Sequence, residues 1–223
     1  MSYGQNKASG LEAIKTITGA PWNGQQNPYP IKSGYENNIF VGDLVYVGGD
    51  GYLHNLSELL AANYPTAQAV GVFNGCSFVG SPANSIDFAS PGGQYWPAGT
   101  VTSNGQDATG FVIDDPSVVF NIQTNGAGLA FNAQGSTYGV SYTYVSGSVT
   151  SPTGDFNSGT SSLVLNSSSV NPGLIGYNLR VQRFVPVPGN VPIAGGPAIP
   201  FNNVEVLIQN HSFASRPVGT TPA

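Results

Sequence analysis

Catalysis needs nucleophiles, proton carriers or metal ligands gathered in one place, and this chain offers few of them. Two histidines, His54 and His211, and a single cysteine, Cys76, are the groups able to titrate or attack near neutral pH. Either histidine would suit a Ser-His-Asp arrangement, which depends on geometry and not on chain order. No Gly-x-Ser-x-Gly elbow, His-Glu-x-x-His pair or phosphate-cradling Gly-Lys-Ser/Thr loop occurs, however. Both histidines end predicted strands, where surface or capping roles are expected. Cys76 lies in the strand-like run Val72-Phe73-Asn74-Gly75-Cys76-Ser77-Phe78, which predicts a small buried thiol. One cysteine can form neither an internal disulfide nor a cysteine metal cluster.

The carboxylates are no more suggestive. Asp114-Asp115-Pro116, with Asp43, Asp50 and Asp87 elsewhere, supplies oxygen ligands but lacks the alternating spacing of a calcium loop. Asp before Pro favours a turn, because its short side chain bonds nearby backbone amides. A glycosidase needs two facing carboxyls, and eleven acids leave a chance pair open. Trp22, Trp96 and eleven tyrosines could stack on a sugar ring, although core or interface roles explain them more simply. The expectation is a protein that is not an enzyme and holds no cofactor and no metal.

Composition points the same way. Only 8% of the 223 residues are charged, where a globular domain normally spends about a quarter. Such a surface predicts neighbours, because charge is what keeps a protein solvated and apart. The apolar fraction of 40% is too rich for disorder. Six basic residues against eleven acidic ones leave a net charge of -5 and no basic patch for nucleic acid. No signal-peptide core and no run long enough to span a membrane is found, which predicts a soluble product of the cytosol.

The elements that must position these residues are short. Residues 1–38 hold an amphipathic stretch and then Gly19-Ala20-Pro21-Trp22-Asn23-Gly24-Gln25-Gln26-Asn27-Pro28-Tyr29-Pro30, which cannot be helix. This predicts an extended arm that either packs over its own domain or docks on a partner. Leu44-Val45-Tyr46-Val47 and Tyr52-Leu53-His54 flank Gly48-Gly49-Asp50-Gly51 as a hairpin. A helix of a turn or two is expected near 57–63, strands at 69–73, 94–100, 109–113, 117–123, 140–145, 161–166, 176–185 and 203–209, a polar loop at 80–93 and a Pro/Gly loop at 186–200. Short strands separated by turns describe an all-β fold, a β-barrel or β-sandwich core of antiparallel strands with an extended N-terminal arm. The expected divisions are the arm, a β-rich core at 39–213 and a flexible tail at 214–223. The core could form two β subdomains, with a Ser/Thr/Gly-rich outer insert near 126–170.

Several blocks, in order and spacing, resemble a family of tailed-phage virion proteins described as capsid decoration or cement proteins. They are Gly19-Ala20-Pro21-Trp22-Asn23-Gly24, Asn27-Pro28-Tyr29-Pro30-Ile31, Ser33-Gly34-Tyr35 and Ile39-Phe40-Val41-Gly42-Asp43-Leu44-Val45. Further blocks are Ala69-Val70-Gly71-Val72-Phe73-Asn74-Gly75-Cys76, Tyr95-Trp96-Pro97-Ala98-Gly99-Thr100, Asp114 through Gln123, and Leu179-Arg180-Val181 through Val204 to His211. The resemblance implies a structural protein of the bacteriophage virion, made in the host cytoplasm and bound to the capsid surface, with the major capsid protein as partner. By analogy with other head-decoration proteins a homo-oligomer is expected, a homotrimer before a dimer. The aromatic arm and low charge make Trp22, Tyr29 and Tyr35 the candidate capsid-binding residues. A virion glycan- or host-binding protein is the alternative, with Trp96 as its test residue.

Overall fold

β-branched and aromatic residues between turn formers fold here as strands of two to nine residues. The computed structural model describes residues 7–61, 68–79, 89–93, 95–142, 150–151, 154–171 and 179–214. In chain order the strands are β1 (Glu12–Thr16), β2 (Asn27–Ile31), β3 (Ile39–Phe40), β4 (Leu44–Val47), β5 (Leu53–Asn55), β6 (Gly71–Val79), β7 (Ala89–Gly93) and β8 (Tyr95–Trp96). They continue with β9 (Ala108–Ile113), β10 (Val118–Gln123), β11 (Thr137–Tyr142), β12 (Thr150–Ser151), β13 (Gly154–Asp155), β14 (Leu163–Asn171), β15 (Leu179–Phe184) and β16 (Asn203–Ile208). The short helix α1 (Ser57–Ala61) follows β5.

Two six-stranded antiparallel sheets carry the fold, which is all-β as the sequence predicts. The first runs β1-β10-β16-β15-β11-β14, and the second β2-β9-β6-β4-β5 with β7 also paired to β6. The first sheet curls back on itself: Thr124, just past β10, bridges Leu165 of β14, and the Asn125 N–H donates to the Leu165 carbonyl at 3.0 Å. That contact covers part of an otherwise open edge and gives the sheet a barrel-like section.

Successive residues on a strand face opposite ways, and both faces of the second sheet are buried. Leu44, Val72 and Ile113 join one core with Phe120, Val181 and Val206 of the first sheet. Their neighbours Val45, Phe73 and Val112 join another core with Ile31, Ile39 and Trp96. This explains why Leu44-Val45, Val72-Phe73 and Val112-Ile113 are continuous apolar pairs without a period of two.

The segment expected to be an arm packs on its own domain as sheet. β1 pairs with β10, Glu12 against Asn121, while β2 pairs with β9, Asn27 against Val112 and Ile31 against Ala108. Prolines are tolerated in β2 because it is an edge strand. Pro28 and Pro30 sit at alternate positions, so their missing N–H groups cost the ladder nothing and blunt the open side. Just before β1 the chain crosses the β3–β4 turn at close range. The Leu11 N–H donates to the Gly42 carbonyl at 2.9 Å, and a Cβ on Gly42 would lie 2.8 Å from the Ser9 carbonyl oxygen.

Other expectations are sharpened. The 126–170 segment is no outer insert throughout, since β11 and β14 belong to the first sheet and Leu163 and Leu165 are fully buried. Residues 143–149 and 152–153 of that segment lie outside the described residues, as do 80–88 of the expected polar loop and 215–223 of the expected tail. Residues 89–93 of that loop are strand β7, paired with β6. β9 and β10 do not form a hairpin across Asp114-Asp115-Pro116; they belong to different sheets, and the motif carries the chain from one to the other.

Candidate functional site

That crossing builds the candidate site. Asp114 accepts both hydrogen bonds of an Asn27 amide, at 2.9 and 3.0 Å, and one from the Tyr29 hydroxyl at 2.6 Å. Asp114 therefore ties β2 to the end of β9. Burial and the adjacent Asp114 carboxylate push the Tyr29 hydroxyl well above its usual range. Asp115 turns to the other side of the crossing, where its Oδ1 accepts the Ser117 N–H at 2.8 Å and its carbonyl accepts the Val118 N–H at 3.1 Å.

Against this turn lies the loop that closes β1. The Thr16 N–H donates to the Ala20 carbonyl at 2.8 Å, the Trp22 N–H to the Ile14 carbonyl at 3.2 Å, and the Ile17 N–H to the Ser117 carbonyl at 2.8 Å. Between loop and turn is a cleft of about 140 Å³. Thr16, Ala20, Pro21, Trp22, Asn23 and Gln25 line it from one side of the sequence, Asp115 and Val118 from the other. Trp22 is partly buried and packs on the first core, and its indole Nε1 is buried without a hydrogen-bond partner. The cleft thus combines an aromatic ring, one carboxylate and two side-chain amides. Such a set can hold a polar or cationic group but has no nucleophile paired with a base.

The other capsid-binding candidates have internal tasks. Tyr29 is half-buried beside Asp114, whereas Tyr35 is a core residue, 9% exposed. The Tyr35 hydroxyl donates to Glu58 and accepts the Asn55 N–H at 2.8 Å. Burial, and then the bond to Glu58, hold it far above the usual tyrosine range. As a surface anchor Tyr35 is corrected: the turn before β3 folds its ring inward over the second core. Trp96 is likewise fully buried, its Nε1 donating to the Tyr35 carbonyl at 3.2 Å, so it offers no sugar platform.

Among the described residues, neither histidine is bonded to a serine, threonine or cysteine side chain. The His54 ring nitrogens face two carboxylates, Nε2 to Asp50 at 3.0 Å and Nδ1 to Glu58 at 3.3 Å. Glu58 also receives the Asn37 amide at 2.9 Å and the Tyr46 hydroxyl at 3.2 Å. Burial and Glu58 push that hydroxyl up to about 12. The cluster fastens α1 to the β4–β5 hairpin.

His211 was expected at the surface or as a cap but is completely buried, because the bridge from Ala69 to His211 draws it under the second sheet. Burial lowers its pKa below the usual 6.5, with Asp114 and Asp115 offsetting part of the shift. Cys76 is buried in β6 as predicted, and burial pushes its thiol up to about 12. Among the described residues no group of three or more His, Cys, Asp or Glu is placed to hold a metal ion.

A feature that sequence reasoning missed is the ion cluster on the first sheet. Glu205, 7% exposed at its side chain, meets Lys15 at 2.5 Å and Arg183 at 2.7 Å. Burial alone would raise the Glu205 carboxyl, but hydrogen bonds from Arg183 and Lys15 outweigh it and hold the carboxyl below its usual value. The three residues lie far apart in sequence and meet only through the β1-β10-β16-β15 order. Fold and site together define an antiparallel two-sheet β protein with a small acidic and aromatic cleft. In comparisons with family models, curated proteins and solved structures, the chain matches none.

Proposed function

We propose that the chain is a structural virion protein that binds the outside of a major capsid protein lattice and stabilises a phage head. In this reading it acts by binding and not by catalysis. The observation that carries it is a surface poor in charge that displays large apolar side chains, foremost Ile193 at 81% exposure, with Val191 exposed in the same loop. Interface cores are depleted in charged residues, and Val191 and Ile193 lie two residues apart in one exposed loop. The sequence resemblance supports the same conclusion, and its blocks coincide with strands and turns of the framework.

The energetics suit a cement. A ligand that binds only the assembled shell stabilises that shell by mass action. Burying one isoleucine is worth about 1.5–3 kcal/mol, so two such side chains per copy, repeated over a lattice, give a useful net gain. A closed ring of three copies would let two different patches of each copy meet head to tail on a lattice of matching local symmetry.

The test is occupancy on purified phage shells lacking the protein. The native chain is expected to saturate the shells, and Ile193→Asp, at an exposed loop position, to reduce occupancy at least about tenfold, since burying a charge costs several times more than burying the isoleucine gains. Absence of the protein from mature particles, or equal occupancy by the variant, overturns the proposal.

A further inference from the structure

We propose that the Trp22 cleft receives the guanidinium of an arginine carried by a partner protein. Size narrows the ligand first. Free small molecules usually occupy pockets of about 300 Å³ or more, whereas this cleft of about 140 Å³ matches one long side chain delivered by a macromolecule.

Charge narrows it further. Among the described residues that line the cleft, Asp115 alone is charged, and only one of its carboxylate oxygens is engaged, by the Ser117 N–H. Asp114 immediately precedes it, bonded to Asn27 and Tyr29, and the whole chain carries eleven acids against six bases. A cation is therefore favoured over an anion or a neutral group.

The ring selects between cations. Trp22 presents an indole, on which a planar guanidinium stacks while its fork donates to a carboxylate; an ammonium does only the second. The Gln25 side chain at the same cleft adds an amide oxygen able to accept. On the shell-binding reading the arginine belongs to the capsid protein, but the cleft can be tested without any shell, so the two proposals can fail separately.

The experiment titrates the full chain with N-acetyl-arginine amide and follows tryptophan emission. Trp96 is fully buried, so the response comes from Trp22. A saturable change is expected, with the isosteric but uncharged citrulline derivative binding at least about tenfold more weakly. Asp115→Asn keeps an oxygen for the Ser117 N–H and should weaken arginine binding by a similar factor. Gln25→Glu adds a second carboxylate and should tighten it severalfold, a gain that misfolding does not produce. No response, equal binding of the citrulline derivative, or binding unchanged in Asp115→Asn and Gln25→Glu overturns the proposal.

Discussion

A histidine with no exposed surface is neutral in the folded chain unless a carboxylate bonds to it directly, and His211 has no such bond. Its Nδ1 accepts the Phe213 N–H at 3.1 Å, which places the ring proton on Nε2, a buried atom without a partner. Protonating Nδ1 would break the one bond the ring makes. The folded pKa therefore lies below 6.5, and Asp114 and Asp115 offset only part of the burial effect. Between the folded pKa and 6.5 the unfolded chain binds a proton that the folded chain refuses, so stability is complete above 6.5 and declines as the pH falls. Urea midpoints measured on both sides of that value should show the decline. His211→Asn keeps an acceptor for Phe213 and should flatten it; an equal slope in the variant would assign the effect elsewhere. Glu205 acts at lower pH, where its ion pairs with Lys15 and Arg183 are lost only as the carboxyl is protonated below its usual 4.5.

At the scale of elements, the close crossing of the chain before β1 over the β3–β4 turn fixes how the two sheets meet. Gly42 and Gly19 have nearly the same backbone, φ +92° and +93°, but different surroundings. A Cβ on Gly42 would stand 2.8 Å from Ser9 O and 2.9 Å from Leu11 N, whereas one on Gly19 meets nothing within 4 Å. Gly19→Ala should therefore cost only the left-handed strain, about 1 kcal/mol. Gly42→Ala carries the same strain and must also force two backbone segments apart, for a total of about 3 kcal/mol or more. Denaturant titration of both variants separates the terms, and equal losses would show that the crossing is slack. The hairpin β4–β5 needed none of this context: its turn glycines and flanking apolar residues are local signals, and the strands pair as expected, Val45 against Asn55 and Val47 against Leu53. Asp114-Asp115-Pro116 carried an equally local turn signal, but whether a turn joins neighbours or crosses between sheets depends on which edges are free.

Over the whole molecule, two cores share the second sheet, and the N-terminal region reaches both. Leu11 lies in the first core, Ile31 and Tyr35 in the second. Removing residues 1–35 deletes β1, β2 and these three buried side chains. Each of the two aliphatic ones is worth about 1.5–3 kcal/mol, against a total stability of about 5–15 kcal/mol. The truncated chain is expected to lose cooperative thermal unfolding by circular dichroism. A truncated chain that melts cooperatively near the native temperature would show that the two strands are dispensable. Truncation thus tests folding, and surface substitutions such as Ile193→Asp are the cleaner probe of binding.

By itself the sequence determined the all-β class, the places of most strands, the hairpin at Gly48–Gly51 and the buried state of Cys76, because propensity, turn chemistry and apolar runs act over a few residues. Tertiary structure alone decided that the Pro-rich segment is an edge strand, that Tyr35, Trp96 and His211 face inward, and that Lys15 and Arg183 converge on Glu205. It also brought Trp22 to Asp115 across the β1 loop. In each case the outcome depended on pairing between strands distant along the chain, and the free energy of such contacts belongs to both partners and is written in neither segment.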